Sequence, residues 1–180
     1  QSGQASIIGD TGYVVSNAFG DNQTITVLVE GNGEYQYTIV PEGNEPVGPW
    51  QNSNVFTNMA GGYFDIYVRD IKTDNPCDML QIGGVSVIDY PRFFTPNGDG
   101  INDYWNVSGM DAHPEARIYI FDRYGKLLKQ LSPASRADQG NGWDGTFNGT
   151  PLPSDDYWFR VEFTEGGTER VFKAHFAMKR

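Results

Sequence analysis

The chain has 180 residues, 13 Lys+Arg against 23 Asp+Glu, a net charge of −10 and 14% aromatic residues. That length suits one large or two modest domains of roughly 100–150 residues each, and the aromatic content excludes a disordered chain despite the negative mean hydropathy. Its 22 glycines and 10 prolines speak for many turns and against a helical bundle, and no apolar run approaches the roughly 20 residues of a membrane-spanning helix.

The start, Gln1-Ser2-Gly3, carries neither an initiating Met nor a charged-then-apolar leader and reads as a piece of a longer chain. Strand-like runs follow at 13–15, 24–29, 35–39, 54–56, 63–68 and 85–88. Gly31-Asn32-Gly33 reads as a hairpin turn, Ala60-Gly61-Gly62 as a tight reversal, and the segment from Pro46 to Pro49 as an irregular edge. Alternation puts Tyr35, Tyr37 and Ile39 on one face and Gln36 and Thr38 on the other. This pattern predicts an antiparallel β-sandwich of immunoglobulin-like type over residues 1–90. That half holds 2 basic and 11 acidic residues, whereas residues 91–180 hold 11 and 12. The asymmetry supports two domains with different surfaces and argues against nucleic acid as a partner. The single cysteine, Cys77, excludes an internal disulfide; it reads as a partly buried loop thiol with no nucleophilic role.

In the second half the runs are 92–95, 104–107, 116–121, 126–129, 157–163 and 170–176. Residues 116–121 are apolar on both faces, as in a central strand, and Glu165-Gly166-Gly167 turns the last two runs into a hairpin. The expected fold class is therefore all-β, with two antiparallel β-sandwich domains in tandem, 1–90 and 91–180, divided where Pro91 ends the preceding strand.

Competing chemistry is thin. Two histidines, His113 and His175, are too few for a zinc site of His and Cys ligands. Asp155-Asp156 and the pair Asp99 and Asp103 read as solvated loop acids rather than glycosidase carboxylates. No nucleophile elbow, Walker or dinucleotide pattern is present, and the Asn-x-Ser/Thr sites at Asn22, Asn106 and Asn148 carry little information in so Asn-rich a chain. One loop invites calcium: Asn97, Asp99 and Asp103 match positions 3, 5 and 9 of a calcium loop, Gly100 the sharp turn and Ile101 the carbonyl at 7. Thr95 and Asn106 depart from the acids expected at positions 1 and 12. The alternative is an Asx-turn loop in which the same side chains bind backbone amides.

Five segments, in order, carry a resemblance. Phe93-Phe94-Thr95-Pro96-Asn97-Gly98-Asp99-Gly100-Ile101-Asn102-Asp103, Ile120-Phe121-Asp122-Arg123-Tyr124-Gly125, Gly142-Trp143-Asp144-Gly145, Tyr157-Trp158-Phe159 and the Lys179-Arg180 end together resemble the type B C-terminal sorting domain of type IX secretion, also called the gliding-motility-associated C-terminal domain. The resemblance covers about residues 91–180. The first half is similar, far less specifically, to immunoglobulin-like repeats of large surface adhesins.

The resemblance implies a non-enzymatic secretion signal of an exported surface protein, with the product at the cell surface or outside, attached at the outer membrane. The implied partners are the type IX outer-membrane translocon and a small outer-membrane barrel protein. Arg170, Lys173, His175, Phe176, Lys179 and Arg180 of the final strand are the expected partner-binding residues, with Val171, Ala174, Phe176 and Met178 packing beneath a solvated basic end. A terminal strand also leaves an edge for strand addition. The runner-up is a glycan-binding adhesin module in which Trp50, Trp105, Trp143 and Trp158 offer stacking faces.

Overall fold

The computed structural model describes residues 3–72, 79–134 and 142–180; Cys77 and residues 135–141 of the polar stretch lie outside them. Among the described residues every regular element is a strand. The chain divides into two compact units, Gln1–Val87 and Ile88–Arg180.

The first unit contains β1 (Ser6–Ile7), β2 (Tyr13–Ser16), β3 (Gln23–Val27), β4 (Val29–Glu30), β5 (Tyr35–Pro41), β6 (Val55–Met59), β7 (Gly62–Asp70) and β8 (Leu80–Val87). They form two three-stranded sheets, β2-β3-β6 and β5-β7-β8, and a β1-β4 pair. Ile25, Val27 and Phe56 from one sheet and Tyr37, Ile66, Val68, Ile82, Val85 and Val87 from the other share a single apolar cluster, which removes the apolar positions of both from water.

Three local expectations change here. The run 24–29 breaks at Leu28, whose N–H bonds the Gly12 carbonyl at 2.7 Å, so β4 leaves the β3 sheet to pair with β1. Gly31-Asn32-Gly33 is then no hairpin, because β4 and β5 lie in different sheets. Its glycine at 33 serves close approach: a Cβ there would stand 2.6 Å from both the Tyr35 ring and an Asp70 carboxylate oxygen. Strand β8 begins at Leu80, earlier than the run 85–88, since Gly83 and Gly84 are accommodated in a bulge opposite Asp65. Asp65 accepts the Gly84 N–H at 3.4 Å and the Gly43 N–H at 2.8 Å. Thr38, on the polar side of β5, is also buried, so the alternation does not mark a solvated face there.

The second unit contains β9 (Phe93–Phe94), β10 (Arg117–Phe121), β11 (Leu127–Leu131), β12 (Thr146–Phe147), β13 (Thr150–Pro151), β14 (Asp155–Glu165) and β15 (Thr168–Met178). Five form one sheet in the order β11-β10-β14-β15-β9. All its pairs are antiparallel except β15 with β9. Gly166 and Gly167, at φ 58° and 76°, supply the two left-handed residues of the β14-β15 turn. Residues 104–107 are not a strand; Trp105 meets Trp143 in an isolated bridge. Asn148-Gly149, with φ 51° and 78°, closes the short β12-β13 hairpin, an Asn-Gly signal that the sequence reading passed over.

Candidate functional site

The motif segments, together with Trp105 and Phe176 beside them in the fold, account for much of the second unit's packing. Phe94, Trp105, Trp143, Phe159 and Phe176 are fully buried, and Trp105 stacks on Phe176 with centroids 4.0 Å apart and planes 13° from parallel. The Trp105 indole N–H reaches the Pro91 carbonyl at 2.8 Å, and that of Trp143 the Thr146 carbonyl at 2.8 Å. Both glycines of Gly142-Trp143-Asp144-Gly145 are required by space. A Cβ on Gly142 would stand 2.8 Å from the Trp105 carbonyl oxygen, and one on Gly145 would collide with Met178. Asp122 accepts the N–H of Tyr124 and of Lys126, both at 2.9 Å, and so fixes the β10-β11 turn. Trp105 and Trp143 are therefore in the core, where no saccharide could stack on them.

The 95–103 loop is wired by its own side chains. Asn97 accepts the Asp99 N–H at 3.0 Å and Asp99 the Ile101 N–H at 2.8 Å, two consecutive Asx turns. Asp103 gathers the N–H groups of Asn97 (3.0 Å), Gly98 (2.7 Å) and Gly100 (2.7 Å). Its carboxyl is held below the ordinary value by the Gly98 and Gly100 amides, against a smaller opposing effect of burial. Every proposed calcium ligand, including the Ile101 carbonyl that takes the Thr95 hydroxyl at 3.4 Å, thus already accepts a hydrogen bond within the loop. Among the described residues no group of three or more His, Cys, Asp or Glu is placed to hold a metal.

Two tests follow. Chelator is expected to leave the Tm unchanged; a Tm that rises on adding calcium would instead place an ion among these oxygens. Because the folded pKa of Asp103 is depressed, its stabilisation is complete above the ordinary carboxylate value and is lost as pH falls through the folded value. The Tm gap between wild type and Asp103→Asn should therefore narrow on acidification from about pH 6 to about pH 2, and a constant gap would contradict the assignment.

In the final strand, period-two alternation sends Phe172, Ala174, Phe176 and Met178 toward the core and Val171, Lys173, His175 and Ala177 outward. Val171 is 58% exposed and does not pack as expected, because it has the opposite parity to Ala174; Phe172 takes that place. Phe176, expected at a partner surface, is 1% exposed beneath Trp105 and out of reach of a partner on the folded unit. Arg170, Lys173, His175 and Lys179 are exposed; Arg170 is paired with Glu165 at 3.5 Å and Lys179 lies 5.3 Å from the Phe93 ring centroid.

Arg180 is exposed but bonded to the chain around it. Its guanidinium donates to the carbonyls of Leu152 (3.1 Å), Pro96 (3.2 Å) and Gly145 (3.1 Å), and the Arg180 backbone N–H donates to the Ser154 hydroxyl at 2.9 Å. It joins the Pro96 loop to the segments on either side of the β12-β13 hairpin.

The outer edge of β15 is covered only at its end. Ala177 donates to the Arg92 carbonyl at 3.0 Å and Lys179 to that of Phe94 at 3.1 Å, through the parallel pairing with β9. The same parity turns the backbone of Val171, Lys173 and His175 away from β14, and among the described residues nothing pairs with it there. Sequence reasoning had assigned the free edge to the whole strand; the short β9 claims its last residues, and a two-residue strand leaves little periodicity to detect.

Comparison with known proteins gives one family: the model described as CHU_C Type IX secretion signal domain matches residues 88–177. No curated protein matches the chain.

Proposed function

From the premise that the chain belongs to the type IX secretion signal domain family, which implies export to the cell surface or exterior and interaction with the secretion machinery, we propose that the second unit is a C-terminal sorting domain read at the outer membrane. The family match over residues 88–177 is the observation that carries this reading, and the family is not an enzymatic one. In this proposal the first unit is an immunoglobulin-like spacer of a surface adhesin, and the reader is the translocon with a small outer-membrane barrel partner.

The buried motif residues hold the unit's shape, so recognition falls to what remains outside. The open backbone edge at Val171, Lys173 and His175, flanked by the exposed cations Arg170 and Lys179, suits strand addition by a partner of acidic character. Proline at position 173 would remove an outward N–H without breaking a bond to β14, a substitution edge strands tolerate. With a reporter fused ahead of the full chain, Lys173→Pro is expected to retain a cooperative melt and to lose most of its export. Normal export of the folded variant would remove the edge from the recognition surface.

A further inference from the structure

Trp158 is the one aromatic residue of the Tyr157-Trp158-Phe159 motif that the core does not use: it is 41% exposed on the outer face of the sheet. Cross-strand register sets it in a row with Phe121 and His175, beside a second row of Tyr119, Arg160 and Lys173. The His175 ring lies 6.1 Å from it. Of these, Phe121, Trp158, Arg160 and Lys173, together with Asp122 and Arg123, line a groove of about 390 Å³, within the range of about 300–1,000 Å³ found for small-ligand sites.

The polar groups of this groove are unequally satisfied. Asp122 is occupied by the turn amides of Tyr124 and Lys126. Arg123 pairs with Asp155 at 3.6 Å and Arg160 with Glu162 at 3.1 Å. Two donors are left over: the Nε of Arg160 is buried with no hydrogen-bond partner, and Lys173 has no ion-pair partner among the described residues. That Nε is closed to solvent, and the Arg160 guanidinium lies 4.8 Å from the Tyr119 and 5.8 Å from the Phe121 ring centroid, so the positive charge that an anion in the groove would meet is the Lys173 ammonium and the partly exposed Arg160 head. The backbone of β14 is paired on both sides, with β10 and β15, so this face offers a peptide no ladder bonds. A flat, exposed indole with cations at one side fits a ring that presents an apolar face and a carboxylate.

The geometry points to a binding site for a carboxylated saccharide, a hexuronic acid unit of an acidic polysaccharide, stacked on Trp158 with its carboxylate held by Arg160 and Lys173. This goes beyond the sorting role and does not depend on it.

The test is a calorimetric titration of the full chain with oligogalacturonate, with a maltooligosaccharide of equal length and with a polyglutamate peptide. Saturable binding of oligogalacturonate is expected, at least about tenfold tighter than the neutral sugar, the factor that one charge-assisted hydrogen bond supplies. Trp158→Ala should abolish the heat, and Lys173→Met should weaken binding about tenfold while the Tm of both variants stays near wild type. Absence of oligogalacturonate binding, binding untouched by Trp158→Ala in a folded variant, or equal binding of polyglutamate would each overturn the assignment.

Discussion

Trp105→Ala is expected to unfold residues 88–180. The side chain is fully buried, stacked on Phe176 at 4.0 Å and inclined against Phe159 at 4.8 Å, and it satisfies the Pro91 carbonyl. Truncating a core Trp costs about 3–5 kcal/mol, and each lost aromatic pair adds about 0.5–1.5. Those sums reach the whole stability of a small domain, about 5–15 kcal/mol. Trp50→Ala is the control: that ring is partly exposed, with the Arg69 guanidinium 4.1 Å from its centroid, an interaction worth about 1 kcal/mol. Calorimetry of the two variants should show loss of the second unit's transition in the first and a shift of a few degrees in the second. A Trp105→Ala protein melting within a few degrees of wild type would show that the aromatic cluster does not hold the unit together.

The second large effect concerns the basic end. Lys179 and Arg180 read alike in sequence, as two solvated charges whose reversal should cost at most about 0.5 kcal/mol. In the structure they differ. Arg180 makes three guanidinium bonds to backbone carbonyls, and charge-assisted bonds contribute about 1.5–3 kcal/mol each when shielded. Arg180 is solvent-accessible, so a discounted total of about 2 kcal/mol is more realistic, or a fall in Tm of about 8–16 °C for a unit of this size. Lys179→Glu loses only a distant approach to the Phe93 ring and should leave the Tm nearly unchanged. If Arg180→Ala melts with wild type, the clamp does not exist in solution. If Lys179→Glu alone lowers export while folding normally, the exposed cation belongs to the recognition surface and Arg180 to its scaffold.

How much of this the sequence carried depends on range. Strands β3, β5, β7, β10, β14 and β15 were visible because period-two patterns and local turn residues act over a few positions. Gly166-Gly167 announced its hairpin for the same reason. What escaped is non-local. The Trp105 and Trp143 backbones bond each other, at 2.9 and 3.0 Å, across a long stretch of chain, and no local pattern encodes that meeting. The part of β8 ahead of Val85 escaped too, because a glycine in a bulge and a glycine at a break look alike in sequence. The Arg180 clamp and the shielding of Phe176 were hidden likewise, since a sequence shows which residues are cationic or apolar but not which carbonyls or rings fold over them. The loop chemistry was legible as two alternatives, and the bonds accepted by Asn97, Asp99 and Asp103 are those of the Asx-turn network, while calcium remains for the titration to decide.

The most direct test is transport itself. A reporter normally retained in the periplasm, fused to residues 88–180 and expressed in a bacterium with a type IX system, is predicted to appear at the cell surface or in the medium, while the same reporter fused to residues 1–87 stays behind. Retention of the 88–180 fusion at the level of the 1–87 fusion, with both shown to be folded, would contradict the assignment of the second unit as a sufficient sorting signal.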